Sequence, residues 1–337
     1  MKKIFTLLSL FGAFNVFAAG TLINGAGATF PEPIYTKWFA EFKKVEPGTS
    51  INYQGIGSGG GIKQLTAGTV DFAASDTPMN VEENKAVKIP VLHVPTVIGA
   101  VVVTYNLKLE KPLKLSAEVV AGIFSGKINK WNDEKLIKLN PGINFPKLPI
   151  VVATRADGSG TTAVFSDYLS QVSPDWKGQA GKTVDWFRGS VAAKGNAGVA
   201  GLVQQAEGAI GYIELVYALQ NKLAFAQIQN KKGEYIEANL KSVSAAAGGN
   251  VVKDMVKNDF KLSITNSEAS GAYPISSFTW LLINETMPKE KGFQIVKMLN
   301  WCLGKTGQDM AASLNFAPLP KELREAVLIK VKGLKLN

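Results

Sequence analysis

Residues 155–162 read Arg155-Ala156-Asp157-Gly158-Ser159-Gly160-Thr161-Thr162. The apolar run before them, at residues 150–153, predicts a buried strand, and the apolar spacing of residues 163–169 after them predicts a helix. A Gly-rich turn from strand to helix leaves the first amides of the helix unpaired, and such a turn attracts anions. Asp157 and Ser159 are favourable helix-capping residues, and Arg155 adds a planar donor that suits carboxylate, sulfate or phosphate. A capped helix beside a surface arginine would explain the same residues without any ligand. Other segments of the sequence must therefore distinguish these two interpretations.

The same order of strand, Gly-rich turn and helix occurs at residues 21–42. Residues 21–24 predict a strand, residues 25–30 form the turn, and apolar residues at four-residue intervals then predict a helix. The turn partly matches the dinucleotide-binding fingerprint G-x-G-x-x-G, but Phe30 stands where the third glycine belongs. A Rossmann-type nucleotide site is therefore poorly supported.

A third turn of this type surrounds Ser58. Residues 50–54 alternate like a strand, and Ser58 lies among glycines where we expect it to cap the helix that follows. The next predicted strand, at residues 70–76, presents Asp76 at its end. Taken alone, Asp76 fits an ordinary strand-end cap. Each of these strand ends nevertheless offers groups that can hydrogen-bond a ligand.

Strands and helices alternate along the rest of the chain. Residues 90–103 are apolar enough for buried central strands, residues 222–249 predict loops with one short helix, and residues 272–275 and 279–283 return as extended segments. This alternation predicts α/β architecture with mostly parallel sheets, in which ligands bind at the carboxyl ends of the strands. Because the late extended segments can rejoin the first domain, we expect two domains, crossover strands and a cleft between the domains.

The first 18 residues have the pattern of a secretory signal peptide. Two lysines precede an apolar run at residues 4–17, and small residues precede the expected cleavage after Ala18. The apolar run is too short to span a bilayer, and no later segment is long enough. No cysteine lies near the cleavage position. We therefore expect an exported protein that has no lipid anchor and is not inserted in the membrane.

The composition is that of a globular chain with a basic surface. With 337 residues, 46% of them hydrophobic, two domains with conventional cores are expected. Cys302 is the single cysteine, so no intramolecular disulfide can form. The formal net charge of +10 falls to +8 when Lys2 and Lys3 leave with the signal peptide. The lysines are scattered, which favours small anions and gives no reason to expect a nucleic-acid partner.

Residues suited to catalysis or metal binding are scarce in this sequence. The single histidine, His93, lies between Leu92 and Val94 and is expected to occupy a core or sheet position. Neither a Ser-His-Asp triad nor a zinc cluster is supported. The Gly-Lys-Thr sequences at Gly181 and Gly304 lack the earlier glycine of a P-loop. We expect no catalytic residue, no metal and no cofactor.

The Gly-rich turns together provide what a small dehydrated oxyanion requires. They offer many neutral donors, and Arg155 supplies one strong positive charge. A buried carboxylate at Asp76 would repel an anion, unless the ligand carries a proton that Asp76 can accept. Sulfate has no such proton and would leave the carboxylate unpaired. The sequence therefore favours phosphate over sulfate.

Four segments resemble the signature segments of the periplasmic phosphate-binding proteins of the high-affinity phosphate importer. They are residues 25–31, 53–61, 71–76 and 155–162. The resemblance extends over essentially the whole mature chain, including residues 131–133, residues 208–212 and the region of Pro274. Several long motifs in the right order are far more specific than any single Gly-rich loop.

The resemblance implies a fold, a function and a set of contacts. The fold is a two-lobed type II periplasmic-binding-protein fold, with lobe I formed by residues 19–96 and 273–337 and lobe II by residues 97–272. The protein would act as a monomer that binds inorganic phosphate and delivers it to the membrane permease subunits of an ATP-driven importer. Asp157 would pair with and orient Arg155. The implied phosphate contacts are Ala28, Thr29, Phe30, Ser58, Asp76, Arg155, Ser159, Gly160 and Thr161.

Two other classes of function remain as alternatives. A phosphatase or phosphotransferase would need a nucleophile or a metal-activated water, for which only Asp76 and Asp157 could be imagined as a pair. A binder of sulfate, molybdate or tungstate would use the same donors, and Asp76 is the residue that argues against it. One minor departure from the family pattern is that Ser58 is followed by three glycines, where a second serine is common.

Overall fold

The structure, a computed structural model, describes residues 20–337. The predicted signal peptide and its cleavage after Ala18 lie outside the described residues. The strands are β1 (Thr21–Gly27), β2 (Thr49–Gly55), β3 (Phe72–Ser75), β4 (Val91–Tyr105), β5 (Lys114–Leu115), β6 (Val151–Arg155), β7 (Val191–Ala193), β8 (Ala209–Glu214), β9 (Ala224–Phe225), β10 (Gln227–Gln229), β11 (Tyr235–Ile236), β12 (Ser276–Asn284), β13 (Thr286–Met287) and β14 (Lys335–Leu336).

Helices follow most of the longer strands. They are α1 (Glu32–Val45), α2 (Ser58–Ala67), α3 (Val81–Ala86), α4 (Ala117–Phe124), α5 (Glu134–Leu139), α6 (Gly160–Val172), α7 (Gly195–Gln205), α8 (Leu215–Gln220), α9 (Leu240–Ala246), α10 (Val251–Lys257), α11 (Lys289–Leu303), α12 (Lys305–Ser313) and α13 (Lys321–Lys332), with a 3₁₀ turn at Pro174–Trp176. Within residues 20–337, no helix combines the length and apolarity that crossing a membrane requires.

The main sheet has the strand order β2-β1-β3-β12-β4-β8-β6-β7, and β9 also pairs with β4. Strands β1, β2 and β3 are parallel to one another, as are β6, β7 and β8. Strands β12 and β4 run antiparallel to their neighbours. The expectation of mostly parallel sheets is therefore right for the outer strands and wrong for these two central ones, which connect the halves of the sheet.

Strand β4 joins two half-sheets. Its residues 91–100 pair with β12, and its residues 101–105 pair with β8. We call β1, β2, β3 and β12 with residues 91–100 the first half-sheet, and β6, β7 and β8 with residues 101–105 the second half-sheet. All fifteen residues of β4 are buried, which explains its continuous apolar sequence. His93 lies on this strand and is 0% exposed, so its predicted core position is confirmed.

Each half-sheet has its own aromatic packing. Tyr35 and Phe39 of α1 pack on Tyr53 of β2. In the other half, Phe124 and Phe165 pack around Tyr212 of β8. These two aromatic clusters lie on the two halves of one continuous sheet and belong to one connected hydrophobic core.

The sequence-based element predictions fail at several identifiable places. Helix α2 begins at Ser58 itself, and its N-cap is Gly57, whose φ of 87° is rarely adopted by other residues. Ser58 therefore is not the cap, and its hydroxyl accepts the N–H of Asp76. Residues 222–249 contain three strands that were not predicted, each only two or three residues long. Residues 272–275 form no strand.

Trp131 is the residue whose substitution tests the packing of the second half. It is 0% exposed, its Nε1 donates to the Gly208 carbonyl at 2.8 Å, and its ring stacks on Phe145. We predict that Trp131→Phe lowers the free energy of unfolding by about 1 to 3 kcal/mol, because it removes this hydrogen bond and some core volume. Chemical denaturation measures the change.

The control is Trp301→Phe. Trp301 is partly exposed, and its ring packs edge-on against Phe42. The same substitution there should cost less than about 1 kcal/mol. Equal losses for the two variants would contradict the special role of the Trp131 indole.

Candidate functional site

The ends of five strands meet where the two half-sheets face each other. Strands β1, β2, β3, β6 and β7 each end in a turn that carries polar groups, and four of these turns lead directly into helices α1, α2, α6 and α7. Parallel strands in α/β folds bind ligands at this edge. The three turns singled out in the sequence are all present here, together with the turn after β7, which was not predicted.

Arg155 is the last residue of β6 and supplies the positive charge of the site. Its side chain is 1% exposed, and its Nε and Nη2 donate to Asp157 at 2.8 and 2.6 Å. Burial by itself would raise the pKa of Asp157, but the guanidinium beside it holds that pKa below its usual value. Nη1 of Arg155 is buried and has no partner among residues 20–337. One guanidinium nitrogen is thus available to a ligand.

Asp76 follows β3 and supplies an acceptor. It is 1% exposed, and its Oδ1 accepts a hydrogen bond from Thr279 at 2.9 Å. Its Oδ2 is buried without a partner in the described part of the chain. Burial raises the pKa of Asp76 to about 7, while Thr279 and the nearby Arg155 act in the opposite direction. The site therefore contains an unpaired carboxylate oxygen beside a positive charge.

Gly160, the first residue of α6, approaches Ser58 and Asp76 very closely. A Cβ atom at position 160 would lie less than 3.0 Å from both Ser58 Oγ and Asp76 Oδ2. Real Cβ atoms essentially never show such a separation, so only glycine permits this approach. The N-terminus of α6, from the second half, is therefore held directly against the turns of the first half.

Backbone donors are concentrated in the same place. The backbone N–H groups of five buried residues of the site make no hydrogen bond within residues 20–337, and these residues are Thr29, Phe30, Ser58, Gly160 and Thr161. Three of these groups are in the first turns of α2 and α6, where helix geometry leaves N–H groups unpaired. Helix N-termini also carry positive potential, so these groups favour an anion.

Two of the expected contact residues, Ala28 and Ser159, have polar groups that are already hydrogen-bonded within the protein. Ala28 is buried, but its N–H and its carbonyl are already bonded to Ala74 and Tyr53, so it can contact a ligand only through its methyl group. Ser159 caps α6, because its Oγ accepts the Thr162 N–H at 3.0 Å. Of the nine expected contacts, the structure brings Thr29, Phe30, Ser58, Asp76, Arg155, Gly160 and Thr161 together with a free polar group on each.

Direct bonds between the two halves surround these groups. Gly59 donates its N–H to the Gly158 carbonyl at 2.8 Å. At the mouth of the cleft, Lys182 forms an ion pair with Glu83 at 2.8 Å, with side-chain exposures of 13% and 21%. These residues border a groove of about 610 Å³ next to the site.

Sequence reasoning missed several residues that support the site. Asn196 bonds to the hydroxyls of Thr29 and Thr161, and Thr279 bonds to Asp76. Asn196 is the second residue of α7, and the strand before this helix, β7, has only three residues and is too short to show a pattern. A signal was present in Gly195-Asn196, where a glycine and a polar residue begin α7, much as glycines accompany the starts of α2 and α6.

Sequence comparison identifies the family to which this geometry belongs. A family model described as a PBP superfamily domain matches residues 17–296. The phosphate-binding protein PstS of Haemophilus influenzae is 42% identical over 312 residues, which cover 91% of each chain. The chain belongs to the PstS family of phosphate-binding proteins. The PstS protein of Pasteurella multocida is 40% identical over 97% of this chain and 94% of its own length.

Solved structures share the fold at lower sequence identity. One is a high affinity periplasmic phosphate-binding protein with bound phosphate, which has a TM-score of 0.74 at 22% identity and covers 91% of this chain and 93% of its own. Another is a phosphate-binding protein from Stenotrophomonas maltophilia, with a TM-score of 0.71 at 20% identity over 92% and 93%. The fold is the two-lobed type II periplasmic-binding-protein fold that the sequence predicted.

The raised pKa of Asp76 predicts a pH dependence of stability for the ligand-free protein. In the folded chain, the Asp76 carboxyl keeps its proton up to about pH 7. In the unfolded chain, it releases the proton near its ordinary pKa of 3.8. The folded state therefore binds more protons between these values, and the free energy of unfolding must fall as pH rises through this window. We predict that Asp76→Asn removes roughly 2 to 4 kcal/mol of that fall.

The measurement is denaturant unfolding of both proteins, dialysed free of ligand, at several pH values from about 4 to about 8. Glu214 is also buried and has a raised pKa, mainly because of its burial, so both proteins should keep a residual slope from it. The difference between the two curves measures the titration of Asp76 together with its smaller effect on the pKa of Glu214. Parallel curves would show that Asp76 titrates normally.

Proposed function

We propose that this protein captures inorganic phosphate, in its hydrogen phosphate form, and delivers it to an ATP-driven membrane permease. The observation that carries the proposal is the pairing of a buried, unpartnered acceptor, Asp76 Oδ2, with a set of buried, unpartnered donors around it. A tetrahedral oxyanion with one proton satisfies both. A fully ionised oxyanion satisfies the donors and leaves the carboxylate unpaired.

The proposed contacts follow from the free groups of each residue. Thr29, Phe30, Ser58, Gly160 and Thr161 donate backbone N–H groups, Arg155 donates Nη1, and Asp76 accepts the ligand proton. Ser159 and Ala28 border the ligand, and Asp157 orients Arg155 through its two hydrogen bonds. Because Asp157 already balances the guanidinium charge, the ligand charge is met mainly by neutral dipoles.

The proposed lobes divide the chain near the strands that connect the half-sheets. Residues 19–96 with 273–337 form lobe I, and residues 97–272 form lobe II. Support comes from β4, which exchanges its partner β12 for β8 after residue 100. We further propose export to the periplasm with cleavage after Ala18, a monomeric protein, and reversible binding without covalent chemistry.

Calorimetry with phosphate and sulfate at matched ionic strength tests the proposal. At about pH 8, the ligand-free mature protein should bind phosphate and give no response to sulfate. Asp76→Asn should reduce this preference by at least about tenfold, because an amide can donate to a proton-free anion and an unpaired buried acceptor costs about 1 to 3 kcal/mol.

The control is Asp309→Asn, which removes the same charge from an aspartate whose side chain is 62% exposed. Its selectivity should equal that of the parent protein. Equal binding of phosphate and sulfate by the parent protein would contradict the assignment of phosphate and favour another oxyanion as the ligand. Release of colour from a chromogenic phosphate monoester would support the enzyme alternative instead.

Gly160 provides an independent steric test. We predict that Gly160→Ala weakens phosphate binding by roughly ten- to a hundredfold, because the added methyl group would overlap Ser58 and Asp76. The matched control is Gly201→Ala in α7, where an added Cβ has no atom within 4 Å. That variant should bind like the parent protein and have an equal or slightly higher unfolding midpoint. Unchanged phosphate affinity in Gly160→Ala would mean that the ligand lies elsewhere.

A further inference from the structure

Asn196 lies where the two halves of the site meet. It is the second residue of α7 and is 0% exposed. Its Nδ2 donates to Thr29 Oγ1 at 2.9 Å and to Thr161 Oγ1 at 3.1 Å. Thr29 follows β1 of the first half-sheet, and Thr161 is in α6, which follows β6 of the second. One amide group therefore contacts both threonine hydroxyls.

The orientation of the Asn196 amide is fixed by Glu214. The backbone N–H of Glu214 lies 2.9 Å from Asn196 Oδ1. A backbone N–H can only donate, so the atom that faces it must be the amide oxygen. The NH₂ group is then directed at the two threonines, and each of its protons has one hydroxyl oxygen to bond.

This arrangement determines what the hydroxyls can do. A hydroxyl has one proton and two lone pairs. Thr29 Oγ1 accepts from both the backbone N–H of Asn196, at 3.2 Å, and its Nδ2, so both lone pairs are occupied. Thr161 Oγ1 accepts from Nδ2. No other residue of the described chain is hydrogen-bonded to either hydroxyl, so both protons are available to a ligand.

We propose that Asn196 is a positioning residue that holds the hydroxyls of Thr29 and Thr161 as donors to the bound oxyanion. The inference rests on the proposed function, since it assigns the direction of two hydrogen bonds at the phosphate site. Occupied lone pairs on Thr29 make its hydroxyl a poor acceptor for a ligand proton. The protonated oxygen of the ligand is thereby directed to Asp76 Oδ2, so Asn196 contributes to selectivity without contacting the ligand.

The amide also couples this orientation to the approach of the two lobes. Its bond to Thr161 lies within the second half, whereas its bonds to Thr29 cross between the halves. Thr29 is therefore oriented only when the halves are in contact. If Asn196 only stabilised the start of α7, its substitution would lower the stability of the protein. Its effect on phosphate binding would then not depend on either hydroxyl.

A mutant cycle separates these roles. We compare phosphate binding by the parent protein, Asn196→Ala, the double variant Thr29→Val with Thr161→Val, and the triple variant, using calorimetry on the ligand-free mature protein. If Asn196 acts through the two hydroxyls, Asn196→Ala alone should weaken binding at least tenfold. Adding Asn196→Ala to the valine pair should then change the affinity by less than about twofold, because coupled residues are not additive.

Thermal unfolding of each ligand-free variant supplies the readout for a structural role. A tenfold loss caused by Asn196→Ala in the valine background, matching the loss in the parent background, would overturn the proposal. Asn196→Asp gives a second test, because a carboxylate can accept from Glu214 but can only accept from the threonines, whose protons then turn away from the ligand. It should lose at least as much affinity as Asn196→Ala, and unchanged affinity would also overturn the proposal.

The parent protein and Gly201→Ala distinguish this inference from the proposed function. If both bind phosphate and the cycle is additive, the function stands and the role of Asn196 is wrong. If neither binds phosphate, the proposed function fails, and the inference that rests on it fails with it.

Discussion

The unpaired oxygen of Asp76 is the constraint on which the rest of the site depends. A buried carboxylate oxygen with no partner costs free energy unless a proton reaches it. Within residues 20–337, Thr279 donates to Oδ1 and no group is hydrogen-bonded to Oδ2. The remaining free groups around it are donors to an anion. In the proposed complex, the ligand must therefore bring both negative charge and a proton, which describes hydrogen phosphate.

The fold provides the hydrogen-bond donors of the site with very little net charge. The guanidinium of Arg155 is paired with Asp157, and most of the remaining donors are backbone N–H groups at the starts of helices. Such dipoles are fixed by the backbone and need no reorganisation when the ligand arrives. Their contribution also does not depend on where the lysines lie on the protein surface. In the proposed complex, the basic surface attracts anions in general, whereas selectivity comes from the buried hydrogen bonds.

Much of this arrangement could be predicted from the sequence, because local patterns encode it. The turns at residues 25–30 and 155–162 combine strand, glycine and helix signals within a few residues, and both are present in the structure. What could not be predicted depends on contacts between distant segments. The role of Thr279 requires β12 to lie beside β3, and that of Asn196 requires the halves to meet. The conformation of Gly57, which moves the helix start to Ser58, left no recognisable mark either.

Neutron diffraction from a deuterium-exchanged crystal of the phosphate complex tests the central claim most directly, because it locates the proton on which recognition of the ligand depends. The account predicts one deuterium between Asp76 Oδ2 and the nearest phosphate oxygen, with all other phosphate oxygens receiving deuterium from donors of the protein. The account would be contradicted if no deuterium lay between the phosphate and Asp76 and every phosphate oxygen accepted hydrogen bonds only from other groups.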